Sequence, residues 1–139
     1  MDLFTIGQMT KIVGMDDPDK VKNWMAGKPF EFKPSGQAAL GKGSRNIYTR
    51  KDLYLLAVAN EFSKAGFAGK AIGRLLDAIR SKLARLGHDS VLTVWRVKPG
   101  GPFQLGVGRA RQEGVTLWHV FEVGALLRTI DEGIERLAR

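Results

Sequence analysis

Phe4-Thr5-Ile6-Gly7-Gln8-Met9-Thr10-Lys11-Ile12-Val13-Gly14-Met15-Asp16-Asp17-Pro18-Asp19-Lys20-Val21-Lys22-Asn23-Trp24-Met25-Ala26-Gly27 carries two helix signals with a turn between them. Thr5 is an N-cap: its hydroxyl can accept from a free amide in the first turn. Ile6, Met9 and Val13 recur at helical spacing, and Gly14 supplies a stop. Asp16-Asp17 then precedes Pro18, whose fixed φ and missing amide suit an early helical position. The second helix runs through Lys20 to Met25 until Gly27. Two short helices joined at Gly14-Met15 are a helix-turn-helix.

Downstream, Lys28-Pro29, Lys33-Pro34-Ser35-Gly36 and Gly41-Lys42-Gly43 are breakers. Phe30-Glu31-Phe32 and Arg45-Asn46-Ile47-Tyr48 between them read as short extended pieces of a basic hairpin. Helix resumes after Thr49, with Asp52 placed for a capping box, apolar Leu53, Leu56, Ala57 and Phe62, and a stop at Gly66. A further helix is expected from Ala68 to Leu86. Ile72, Leu76, Ile79, Leu83 and Leu86 form a seam there, with Lys70, Arg74, Arg80, Lys82 and Arg85 on the other face. The last third alternates instead. Val91, Thr93, Trp95 and Val97 share one side of a strand, and Leu92, Val94, Arg96 and Lys98 the other. Phe103, Leu105 and Val107 repeat that period, as do Val115, Leu117, His119, Phe121 and Val123. Three antiparallel strands and a final helix near Gly124–Ala138, striped by Leu127, Ile130, Ile134 and Leu137, complete the chain.

The composition narrows the function classes. With 139 residues and 44% hydrophobic content, the chain can form one domain or two small lobes, and it is too apolar for disorder. Zero cysteine excludes a disulfide framework, a thiolate zinc site and a cysteine nucleophile. His88 and His119 lie too far apart for a local metal motif. Met1-Asp2-Leu3 opens no secretory signal, and no apolar run approaches the roughly 20 residues a membrane span needs. A cytoplasmic protein without a membrane partner is expected. The net charge is +8, and residues 1–86 hold 15 of the 22 Lys/Arg against 8 of the 14 Asp/Glu. An excess so concentrated suits a polyanionic partner held by one lobe.

The first 86 residues resemble the DNA-binding domain of MerR-type regulators. Phe4-Thr5-Ile6-Gly7 matches that family's opening, and Lys22 with Trp24 stands about where it has an Arg and an aromatic. Arg45-Asn46-Ile47-Tyr48-Thr49-Arg50-Lys51-Asp52-Leu53 reproduces its Arg-x-Tyr and Asp-Leu stretch, and Gly66-Phe67 its Gly-Phe pair. The turn before the second helix is one residue longer than in the family, and the segment Ser35–Ser44 is longer and richer in glycine. The C-terminal third does not resemble the family's cysteine-bearing metal sensors and is too small for its drug-binding domains. The resemblance implies a winged helix-turn-helix over residues 1–87; with the three-stranded antiparallel sheet and helix read from the pattern over 88–139, the expected fold is α+β. The resemblance also implies a transcriptional regulator that distorts an over-long promoter spacer for RNA polymerase.

For double-stranded DNA the expected contacts begin in the second helix. Lys20 and Lys22 can donate to phosphate or guanine, and Asn23 can make adenine's paired hydrogen bonds. Trp24 either packs beneath the wing or sets its ring and indole N–H against the sugar-phosphate backbone. Lys42, Arg45 and Tyr48 of the hairpin would grip phosphates, unless Tyr48 caps the hairpin's own core. Thr10 and Lys11 lie near the turn, within reach of a phosphate. A short element reads few base pairs, so a homodimer on inverted half-sites is expected, through the Ile72–Leu86 seam or, preferentially, the terminal helix. No cofactor is expected. No nucleophile elbow, phosphate-binding loop or His-Glu pair points to an enzyme. Trp95, Phe103, Trp118 and Phe121 are either a small pocket or core. The alternative functions are a phage-type excision factor that bends DNA and a winged helix repurposed for binding protein.

Overall fold

Thr5 and Gln8 cap the first helix reciprocally: Thr5 Oγ1 accepts from Gln8 N at 3.3 Å, and Gln8 Oε1 from Thr5 N at 3.0 Å. In the computed structural model, which describes residues 3–15, 17–32, 47–109 and 113–138, this helix is α1 (Ile6–Val13). It ends at Gly14, whose φ of 78° lies in the left-handed region that a side chain disfavours. After Met15 comes α2 (Pro18–Met25), capped by Asp17, whose carboxylate accepts from Asp19 N. Both helices begin and end where the sequence pattern puts them.

Residues just before α1 pair with residues 48–49 in a two-stranded ladder. β1 (Leu3–Phe4) pairs antiparallel with β2 (Tyr48–Thr49), in register Leu3 with Thr49 and Phe4 with Tyr48. Phe30–Phe32, expected as part of a hairpin, forms no strand. It is a loop with both phenylalanines buried, held by Phe32 N donating to Trp24 O at 2.9 Å. The expected hairpin tip falls outside the described residues.

From Thr49 the chain enters α3 (Arg50–Lys64) through a second capping box, with Thr49 N donating to Asp52 Oδ2 at 3.0 Å. The sequence marks four apolar positions on α3, yet Leu53, Leu55, Leu56, Ala57, Val58, Ala59 and Phe62 are all buried. A helix apolar on nearly every side belongs in the interior. α3 is that central helix, packed by α1, α4 (Gly69–Arg80) and α5 (Val123–Ala138). α4 stops six residues before the expected Leu86. A single 3₁₀ turn at Leu83–Arg85 continues the chain and swings Leu83 into the core.

β3 (Leu92–Arg96), β4 (Gln104–Val107) and β5 (Leu117–Phe121) form an antiparallel sheet in the order β4-β3-β5. Leu92 and Val94 are fully buried. Phe62 meets Phe121 edge-on at 4.7 Å between centroids, and Phe67 packs on Phe103 at 4.9 Å. These aromatic contacts fasten the sheet to the end of α3, so residues before and after Gly87 share one core. Trp95 and Trp118 are register partners on the sheet's other side, with Trp118 exposed. The four aromatics once grouped as pocket or core therefore divide between the two faces.

Neither apolar seam is left free for a partner. Ile72, Leu76 and Ile79 of α4, and Leu127, Ile130 and Ile134 of α5, are buried within the single chain, and Leu137 alone of the terminal stripe is exposed. Two glycines let α5 approach closely. A Cβ on Gly124 would stand 2.2 Å from the His88 carbonyl oxygen, and one on Gly133 would stand 2.9 Å from Ile12 Cγ2. Among the described residues no helix is long and apolar enough to cross a membrane.

Asp131 on α5 ties three segments together. Tyr54 donates its hydroxyl proton to Asp131 Oδ1 at 2.5 Å, Arg50 Nη1 donates to the same oxygen at 2.8 Å, and His88 Nε2 lies 2.6 Å from Oδ2. Burial alone would push this carboxyl up. The hydrogen bonds from Tyr54, His88 and Arg50 outweigh it and hold the group below its ordinary range. Burial and the bond to Asp131 together push the Tyr54 hydroxyl up. A carboxyl held low stabilises the fold above its unfolded value, near pH 4, and loses that contribution as pH falls through the lower folded value. Asp131→Asn is therefore expected to cost about 1–2 kcal/mol at pH 7. In urea unfolding the gap to the native chain should narrow at pH 3; a gap constant across that range would remove Asp131 from this role.

Candidate nucleic-acid interface

α2 has one face in the core and one in solvent. Val21 and Trp24 are buried, while Asp19, Lys22, Asn23 and Ala26 are exposed at helical spacing on the opposite side. Trp24 is the anchor. Its ring packs on Phe30 at 4.9 Å, and its carbonyl accepts from Phe32 N. Lys22 and Asn23 thus project from a helix too short to be stable alone but fixed by what lies beneath it.

The other expected contacts are distributed differently. Lys20 is half-buried, its Nζ 5.3 Å from the centroid of the Trp24 ring and 3.5 Å from Asn60 Oδ1. It steadies α2 rather than standing free. Trp24 is 4% exposed and Tyr48 is fully buried, with its hydroxyl donating to Met25 Sδ. Both rings take the core alternative, because each is enclosed by the elements it joins, and neither offers a surface to a phosphate. Thr10 turns its hydroxyl back onto the Ile6 and Gly7 carbonyls of its own helix. Lys11 is exposed and lines a groove between α1 and α5 beside Arg136. Lys42 and Arg45 lie outside the described residues. From the expected set, the structure brings Lys22 and Asn23 together.

A groove that the sequence pattern did not single out adjoins the exit of α2. It measures about 690 Å³ and lies between the Pro29–Glu31 loop, the start of α3 and α4. Glu31, Asp52, Asp77 and Arg80 line it, and with them the cations Lys51, Lys70 and Arg74. None of these three forms an ion pair among the described residues, whereas Arg80 at the groove's end is held by Asp77 at 3.0 Å. Two glycines on α4 admit the loop: a Cβ on Gly69 would stand 1.8 Å from Pro29 Cγ, and one on Gly73 2.8 Å from Phe30 Cβ. The segment leaving α2 is thereby seated on α4. The signal available in sequence was the Lys70/Arg74 pair at i and i+4, opposite the apolar seam, which also describes an ordinary solvated helix face.

An exposed amide and ammonium on a rigid short helix can hydrogen-bond to base edges, and lysines and an arginine along an adjacent groove can neutralise phosphates. No protein-family model matches the chain, and comparison with curated proteins finds no relative.

Proposed function

We propose that this protein binds double-stranded DNA as a winged helix-turn-helix transcriptional regulator, similar to the MerR type. α2 enters the major groove, and the cationic surface beside it follows the phosphate backbone. The observation that carries this reading is the two-sided build of α2, with Lys22 and Asn23 exposed above buried Val21 and Trp24. Asn23 pairs with adenine through its amide, and Lys22 donates to guanine or to an adjoining phosphate. Lys51, with the basic wing residues Lys42 and Arg45, adds affinity without reading sequence. Eight residues of helix reach few base pairs, so a two-fold dimer on inverted half-sites completes the site. RNA polymerase is the downstream partner in this reading.

Fluorescence anisotropy on a duplex at several salt concentrations tests it. Asn23→Ala is expected to cost about 1–3 kcal/mol and to relax preference at one base position. Lys51→Ala should weaken all sequences about equally and reduce the salt slope by about 1. Binding that neither variant alters would remove both residues from the contact surface.

A further inference from the structure

A second groove, of about 510 Å³, lies on the other side of α4, between that helix and the turn joining β3 to β4. Lys70 and Arg74 of α4, Lys82 just beyond it and Arg96 at the end of β3 line this groove, and no Asp or Glu does. Four arginines elsewhere on the surface sit beside acids: Arg80 with Asp77, Arg109 with Glu122, Arg128 with Asp89, Arg136 with Glu132. Here four cations share a concavity, and none of them makes an ion pair or side-chain hydrogen bond among the described residues. Arg96 is held in place nonetheless. Its guanidinium lies 4.9 Å above the Phe103 ring, which itself packs on Phe67, and its Nε is buried without a partner. The groove's lip is the glycine turn Gly100–Gly101, closed by Gly101 N donating to Lys98 O at 3.0 Å, so no side chain from these two residues narrows the opening.

We propose that this groove binds a small phosphorylated molecule. Unopposed positive charges around one concavity repel each other until an anion neutralises them. A phosphate group carries up to two charges and three strong acceptor oxygens, enough to engage the Arg96 fork and the flanking lysines together. The volume falls in the range of small-ligand sites. Lys70 and Arg74 line this groove and also the one beside α2. A ligand that draws them in withdraws them from DNA phosphates, so occupancy lowers duplex affinity; this last step rests on the DNA-binding reading above.

The test is an amide NMR titration of the full chain with inorganic pyrophosphate, at ionic strength held constant with sodium chloride. Saturable shifts are expected at Lys82, Gly100, Gly101 and Gln104, with Arg96→Gln and Lys82→Gln each weakening binding at least tenfold. Circular dichroism identifies a variant that has not folded, and Lys82→Gln, outside regular structure, keeps the test alive if Arg96→Gln fails. Shifts that do not saturate, that spread evenly over all exposed lysines, or that persist in Lys82→Gln overturn the site. Shifts there with duplex but not with pyrophosphate overturn the small-molecule assignment. Anisotropy separates the two readings: a chain that binds no duplex at low salt refutes the DNA reading and leaves the NMR result standing. Duplex binding unaffected by pyrophosphate that demonstrably occupies the groove refutes the coupling.

Discussion

Trp24→Ala is expected to cost about 3–5 kcal/mol of stability and to abolish duplex binding together with it. The ring is 4% exposed, packs on Phe30 and lies under Lys20. Its removal unfastens α2 and the loop that leaves it. The eight-residue helix has too few internal hydrogen bonds to persist without that anchor. Local unfolding would then take Lys22 and Asn23 out of register while α3 and the sheet remain. Trp24→Phe keeps most of the buried area and should restore most of both properties. Urea unfolding and anisotropy on the same preparations check this. Lost binding with stability unchanged in Trp24→Ala would mean that the indole touches DNA and is not a core residue.

Phe62→Ala is expected to be as damaging, at about 3–5 kcal/mol, for a different reason. Phe62 is fully buried where α3 meets the sheet, 4.7 Å from Phe121 and 5.5 Å from Phe67 between ring centroids. An alanine leaves a cavity that two rings on different elements must collapse into, and the two are tied to different backbones. Because residues on both sides of Gly87 share the core, the loss should lower the midpoint of a single cooperative transition. Chemical denaturation followed by tryptophan fluorescence and by far-ultraviolet circular dichroism reads this directly. Two separated transitions, with only the second moved, would show that the two parts of the chain fold independently.

Much of the α+β architecture is legible in the sequence because its signals are local. The Thr5 cap, the Thr49–Asp52 box, the glycine stops at Gly14 and Gly66, and the alternation from Val91 to Val97 each need only a few neighbouring residues. What stayed hidden depends on distance along the chain. The β1–β2 ladder is two residues long and has no periodicity to detect. The seam through Leu83 and Leu86 keeps helical spacing after the helix has ended, since a 3₁₀ turn places the next apolar residue almost as well. The Asp131 cluster joins residues 43 to 81 positions apart.

The candidate site divides the same way. Lys22 and Asn23 were legible because their donor groups sit in a short helix bounded by clear cap and stop signals. The roles of Trp24 and Tyr48 were not, because an aromatic with a polar handle suits a core and a phosphate contact equally. Only the packing of Phe30 and Met25 distinguishes them. Lys70 and Arg74 look like a solvated face until a loop and a hairpin are seen to border them on either side.

The central claim is that the outer face of α2 reads duplex DNA. Selection of binding sites from a random duplex library, with the full chain as bait at low salt, tests it most directly. Enrichment of a two-fold symmetric consensus that Asn23→Ala blurs at one position in each half-site is the expected result. Failure to retain any duplex, or retention that never converges on a sequence and is indifferent to Asn23, would contradict it.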